Sequence, residues 1–298
     1  MNNSMTIVGL GELLCDVFPD GPRFGGAPAN FACHAAALGA DAYLASSVGR
    51  DELGRQGQEA LLAHGVHADC LAVCDTAPTG TVNVTLDEAG KAQFRFAPDV
   101  AWDHLHWSEA LERLAARCTA VCFGTLAQRS EVSRQTIRRF IRSTPPAALR
   151  IFDINLRAPY YNDNTICESL ALANVLKLND EELPIVASLC ELSGKDDELL
   201  ARLAARFELD VVALTRGPHG ALLWRRGELS DAPGVPVVVR DTVGAGDAFT
   251  AAMAIGLIRN DPLDVINLRA CQVAAHVCSC SGATPELTDE IRRQFVVC

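Results

Sequence analysis

Apolar residues along the chain fall into short runs that alternate with longer stretches at helical spacing. MTIVGLGE, from residue 5, reads as a first strand, and an Ala-rich stretch over 28–38 has helical spacing. Residues 42–48 read as a second strand and 52–64 as a helix. Further strands are AVCFG (120–124), LRIFDIN (149–155), NVLKLN (174–179) and DVVALT (210–215). Helical patterns over 132–143, 180–188 and 198–207 lie among them. Alternating β and α predicts an α/β fold with a mostly parallel sheet covered on both faces.

One region departs from this rhythm. TVNVTLDEAGKAQFRF (81–96) alternates with period two, around a turn expected at Glu88, Ala89, Gly90 and Lys91. Val82, Val84 and Leu86 share one face, and Phe94 and Phe96 share another. Such a hairpin is either an antiparallel edge on the main sheet or, with residues 12–24, a small separate sheet serving as a lid, an oligomer surface or both.

The chain has 298 residues, enough for one large α/β domain or two ordinary ones, and an apolar fraction of 49% fills a sizeable core. A net charge of -11 argues against general affinity for nucleic acid or anionic membrane, though not against an anion held locally. No apolar run approaches the length of a membrane span, and the N-terminus lacks the pattern of a secretory signal. Most of the twelve cysteines sit in apolar runs, which predicts reduced thiols in a cytoplasmic protein. No C-x2-C and no paired Cys/His cluster suggests structural zinc.

The most informative stretch is RDTVGAGDAF, residues 240–249. An apolar, Ala-rich helix is expected from Ala248 to Ile258, so Gly244, Ala245, Gly246 and Asp247 sit at its start. A helix start presents unpaired N–H groups and the positive end of the macrodipole. Bare backbone lets a phosphate approach them, and Asp247 would accept a proton from an attacking hydroxyl. The same residues also suit a plain turn with an acid in the first helical turn. No Walker A motif is present, since Gly90-Lys91 is followed by Ala92 and Gly194-Lys195 by Asp196. The Rossmann fingerprint fails too, with Phe249 where its third glycine belongs.

Far upstream, FGGAPANFACHAAALG (24–39) again sets glycines before an Ala-rich helix, with Pro28 suited to the first turn. Asn30 projects from that turn, and Asp16 follows the first strand in GELLCDVFP. Asp and Asn are side chains that grip vicinal hydroxyls, although a capping Asn in a Gly-rich turn fits equally.

Taken together, GGAPANFACHAAALGADAYLASSVGRDELG and DTVGAGDAFTAAM resemble the two signatures of the PfkB family of carbohydrate kinases, also called the ribokinase family. Order and separation also agree, so the resemblance spans essentially the whole chain. It implies a single ribokinase-like domain over 1–298, a three-layer αβα body with a small β lid from about 12–25 and 79–98. It implies Asp247 as catalytic base and Gly244, Ala245 and Gly246 as the anion hole. Asp16, Gly26 and Asn30 resemble sugar contacts, with Phe96 our choice for the lid aromatic that packs on the sugar. Asn179 and Glu182 in LNDEEL resemble the N-x-x-E motif that acts on Mg²⁺ and phosphate through water. Thr215, Gly217 and Gly220 resemble the nucleotide-side loop, and Gly282 lies in a segment resembling one that flanks adenine. Asp241 and the carbonyl of Val243 resemble ligands of a monovalent cation, which leaves a K⁺ requirement open.

Within the family, GELLCD, FRF followed by AWD, and FDINLR are most similar to bacterial fructokinases. Arg157 is a candidate substrate contact, and a cation there instead suits a carboxylate if the substrate is 2-keto-3-deoxygluconate. Ribokinases carry Lys where this chain has Ala27, which speaks against ribose. The resemblance therefore implies an ATP- and Mg²⁺-dependent kinase with fructose as acceptor, and the apolar face of the lid hairpin makes a homodimer the expected assembly. The competing classes are a non-catalytic sugar-binding regulator, which would be expected to lose its base, and an NAD-dependent oxidoreductase, whose fingerprint is missing.

Overall fold

A strand that is apolar at nearly every position has to be covered on both faces, and the long sheet is built from such strands. The computed structural model describes residues 5–18, 21–86 and 92–295. The described residues contain thirteen strands. Nine form one sheet: β1 (Thr6–Leu10), β4 (Asp41–Gly49), β5 (Leu71–Cys74), β8 (Ala120–Phe123), β9 (Leu149–Asp153), β10 (Val175–Asn179), β11 (Val211–Thr215), β12 (Ala221–Arg225) and β13 (Glu228–Ala232). The other four, β2 (Leu14–Phe18), β3 (Gly21–Gly25), β6 (Gly80–Leu86) and β7 (Ala92–Phe96), form a separate small sheet in the order β3-β2-β6-β7.

The large sheet runs β13-β12-β11-β10-β9-β8-β1-β4-β5. All its pairings are parallel except β11 with β12 and β12 with β13. Side chains alternate strictly between the two faces. Ile7, Cys122, Ile151, Val175 and Ala213 face α1 (Ala27–Ala37), α8 (Ala245–Ile258), α9 (Leu263–Cys278) and the short α10 (Asp289–Arg293). Val8, Val121, Phe123, Phe152, Leu176 and Val212 face α3 (Glu109–Arg117), α4 (Glu131–Arg142), α5 (Asp163–Leu172), α6 (Glu182–Leu189) and α7 (Asp196–Phe207). Beside α1, α2 (Glu52–Ala63) covers β4 through Leu61, Leu44 and Val48.

The expected turn at 88–91 lies outside the described residues, as do the side chains of Val84, Leu86 and Phe94. The hairpin that carries them belongs to the small sheet and not to an edge of the large one. A second hairpin, β12–β13, supplies the antiparallel edge. Its two-residue turn places Arg226 at φ 49° and Gly227 at φ 90°, the positive pair that a type I′ turn needs.

The strand order reverses between β1 and β8. From β1 the chain first moves out to β4 and β5, then returns to β8 and proceeds through β9 to β13. A crevice opens beyond the carboxyl ends of strands at such a point. Gly11 and Glu12 leave β1 there, and Gly124 leaves β8.

Candidate active site

The crevice is a cavity of about 680 Å³ beneath the small sheet. Its roof is one cross-strand row. Arg23 pairs with Asp16, Asp16 with Val82, and Val82 with Phe96, and all four residues line the cavity. Pairing across strands puts side chains at the same register on the same face, so four segments distant in sequence present one surface. The Phe96 ring meets Tyr160 edge-on at 5.3 Å, and the Tyr160 hydroxyl donates to the Phe96 carbonyl at 3.3 Å.

The floor is the start of α8. Gly244 adopts φ 79°, and a Cβ there would lie 2.2 Å from the Ala283 carbonyl oxygen, so only glycine fits. The helix begins at Ala245, three residues earlier than the apolar run suggests, and Asp247 falls inside its first turn. Of the amides at this helix start, that of Ala245 makes a long 3.3 Å bond to the Thr242 carbonyl, and Ala245 lies off the cavity wall. Among the described residues, the N–H groups of Gly246 and Asp247 have no such partner, as expected for a first helical turn.

Asp247 Oδ2 accepts from Asn30 Nδ2 at 2.9 Å, a contact between residues 217 apart in sequence. Burial pushes its carboxyl up to about 6, and the nearby Asp153 carboxylate pushes the same way. The Asn30 hydrogen bond, Lys177 and Arg157 oppose that rise without cancelling it. A carboxyl so tuned is ionised at neutral pH and close enough to it to exchange a proton readily.

Beneath the helix start lies a buried ion pair. Lys177 and Asp153 are register partners on β10 and β9, and Lys177 Nζ donates to Asp153 Oδ1 at 3.0 Å. The Thr250 hydroxyl lies 3.0 Å from Asp153 Oδ2 and 2.9 Å from the Gly246 carbonyl, tying the pair to α8. Burial disfavours the Lys177 cation, but the carboxylates of Asp153, Glu182 and Asp247 outweigh it and hold its pKa above the usual value. A Cβ on Gly246 would sit 3.0 Å from Lys177 Nζ, so this cation stands directly under the bare amides.

Sequence reasoning did not single out Lys177, Asp153 or Glu12. The signal for the first two was a charged residue in each of two apolar strands, but their pairing follows only from the sheet register. Glu12 is 3% exposed, and its Oε2 has no hydrogen-bond partner among the described residues. Burial pushes its carboxyl up to about 7. The N–H groups of Glu12 and Ala27 and the Arg157 cation work against that rise, while Asp247 adds to it.

Of the residues proposed from sequence, Asp16, Gly26, Asn30, Phe96, Arg157, Asn179, Thr215, Asp241, Val243, Gly244, Gly246 and Asp247 all line this one cavity. Ala245, Glu182, Gly217, Gly220 and Gly282 do not. Glu182 is buried, and its two oxygens accept the N–H groups of Leu156 and Asn179, each at 2.9 Å. Asn179 Oδ1 accepts from the amides of Glu181 and Glu182. Asp241 takes the amides of Val243 at 3.0 Å and Gly282 at 3.1 Å, which ties two loops together beside the helix start. Gly282 itself lines a neighbouring pocket, on the far side of Asn30.

Comparison with known proteins identifies the family. The family description "pfkB family carbohydrate kinase" matches residues 20–290. A fructokinase of Klebsiella pneumoniae is 35% identical over 262 residues, 83% of each chain. The structure of an uncharacterized sugar kinase from Pyrococcus horikoshii in complex with ATP superposes with a TM-score of 0.81 at 27% identity, covering 98% of this chain and 100% of that one. A fructokinase from Vibrio cholerae O395 in its fructose-, ADP- and calcium-bound form superposes with a TM-score of 0.81 at 25% identity over 99% of each chain. The three-layer body and small sheet are a ribokinase-like fold, and the chain belongs to the pfkB family of carbohydrate kinases.

Proposed function

We propose that the chain transfers the γ-phosphate of ATP to a hydroxyl of fructose, with Asp247 as general base. The observation that carries this reading is the Asp247 carboxyl, held by Asn30 in the first turn of α8 and lining the cavity beside amides without partners. In this reading the sugar lies between the cross-strand row and α8, gripped by Asp16 and Asn30, with Phe96 against its apolar face. Asp247 orients the acceptor hydroxyl and removes its proton as the bond to phosphorus forms. The amides of Gly246 and Asp247, with Lys177 beneath them, stabilise charge gathering on the transferred group. The small sheet acts as a lid that excludes water, which favours transfer over hydrolysis.

The nucleotide takes the Asn179 and Thr215 side, with the loop carrying Gly217 and Gly220 and the segment at Gly282 around its base. Mg²⁺ carried by the nucleotide supplies charge neutralisation at the phosphates. The side-chain oxygens of Asn179 and Glu182 already serve backbone amides, which suits contact with that ion through water. The Val243 carbonyl and Asp241 form the candidate K⁺ site, and turnover in K⁺ compared with tetramethylammonium tests it.

Fructose is favoured by the Klebsiella pneumoniae relative and by the carboxyls of Glu12, Asp16 and Asp247 around the sugar side, which repel a charged acid. Arg157 is the one observation favouring a carboxylate acceptor such as 2-keto-3-deoxygluconate, because among the described residues its exposed guanidinium hydrogen-bonds only its own neighbour's carbonyl, Leu156, at 3.4 Å. ADP release with MgATP and each of fructose, ribose, 2-keto-3-deoxygluconate and nucleosides separates these readings. Fructose is expected to give the highest kcat/KM. Sugar binding without any ADP release would instead identify a regulator.

A further inference from the structure

We propose that Glu12 is a positioning residue for phosphoryl transfer, fixing the start of α1 and through Asn30 the orientation of the Asp247 carboxyl. The inference rests on the kinase reading above and goes beyond it, because nothing in the family resemblance assigned Glu12 a task.

The contacts form a continuous chain. Gly26, the residue before α1, adopts φ 108°, and a Cβ there would lie 2.5 Å from the Glu12 carbonyl oxygen and 3.3 Å from its Cγ. Glu12 is thus packed against the helix start through its carbonyl and the Cγ of its side chain. The Gly26 carbonyl accepts from the Asn30 N–H at 2.9 Å, closing the first turn. From that turn Asn30 Nδ2 reaches Asp247 Oδ2, also at 2.9 Å. Glu12 therefore controls the only side chain among the described residues that hydrogen-bonds the proposed base.

A carboxyl placed merely to cap a helix would keep its second oxygen in water. Glu12 Oε2 is instead sealed in and partnerless, and the residue lines the reacting cavity. Leaving such an oxygen unsatisfied works against stability. The position therefore serves the site at a cost to the fold, a trade common at functional centres.

The test is kcat and KM against pH, with fructose and ATP, for the wild type and for Glu12→Gln, Glu12→Asp and Glu12→Ala. The charged groups sharing the cavity are Asp16, Arg23, Asp153, Arg157, Lys177, Asp241 and Asp247, and all remain in each variant. Gln keeps the length and the acceptor, so kcat stays within about three-fold of wild type and the acid limb of kcat does not move. Asp and Ala shorten the side chain packed against Gly26 at the helix start, so kcat falls about 10- to 100-fold while both KM values stay within about three-fold. With the Asn30 bond loosened, Asp247 loses an interaction that lowers its pKa, and the acid limb moves to higher pH. In an Asn30→Ala background, Glu12→Ala adds no further shift. Should the Ala variant fail to fold, Glu12→Asp carries the comparison. Loss in Glu12→Gln as large as in Glu12→Ala, a change confined to sugar KM, or an unmoved acid limb in both shortened variants overturns the proposal. A wild type that turns over no sugar of the panel removes the kinase reading, and with it the reaction Glu12 serves.

Discussion

Burial raises the pKa of three carboxyls in the cavity, Glu12, Asp16 and Asp247, and the first and last each make a prediction. As the proposed base, Asp247 works only when ionised, so kcat is expected to be flat above neutrality and to fall as pH drops through about 6. A limb near the ordinary carboxylate value would mean that burial does not tune it. Glu12 has a stability signature. Its pKa rises from 4.5 unfolded to about 7 folded, so the folded state holds the proton more tightly. The Glu12 contribution to stability is therefore most favourable below pH 4.5, falls between 4.5 and about 7, and is level above that. The loss is on the order of 3 kcal/mol, and Glu12→Gln should recover about 1–3 kcal/mol of it at pH 8 and none at pH 4, read by urea unfolding. Such effects were hidden in the sequence. GELLCD suggested Asp16, but nothing in it tells that the Glu two residues after β1 is sealed beside a helix start. Lys177 and Asp153 were hidden for a related reason, because a register between strands 24 residues apart is a property of the sheet.

Among the elements, the central strands were legible and the edges were not. The six strands read from apolar runs correspond to β1, β4, β8, β9, β10 and β11. Those missed, β5, β12 and β13, lie at the two ends of the sheet. β5 has no fully buried residue and β13 alternates, so neither carries the continuous apolar run of a strand covered on both faces. The start of α8 was misjudged by three residues because Gly-Ala-Gly looks like loop. With Gly244 in the left-handed region, the backbone turns sharply enough for the helix to begin at once. Gly244→Ala must accept both a positive φ and contact with the Ala283 carbonyl, so it is expected to lose at least about 2 kcal/mol of stability and most activity. An active variant of unchanged stability would show that the tight turn is not required.

At the scale of the whole molecule, the strand-order reversal opens the crevice and the small sheet roofs it. The sequence made the hairpin visible through its period of two, but the cross-strand row from Arg23 to Phe96 appears only when β2, β3, β6 and β7 pair. If that row is the lid surface, Phe96→Ala should raise fructose KM about ten-fold, leave ATP KM unchanged and increase sugar-independent ATP hydrolysis. Equal changes in both KM values would point to a general loosening. Pairing of two copies through the small sheets is the assembly we expect, and sedimentation equilibrium reads it directly, since a monomer at micromolar concentration rules it out. The central claim is that the carboxyl held at the start of α8 takes the proton from the acceptor hydroxyl. Its most direct test is kcat for fructose-dependent ADP release by Asp247→Asn, which keeps shape and the Asn30 contact but cannot accept the proton. The account predicts a fall of about 10²- to 10⁴-fold with fructose affinity within a few-fold of wild type. Turnover near the wild-type rate would contradict it.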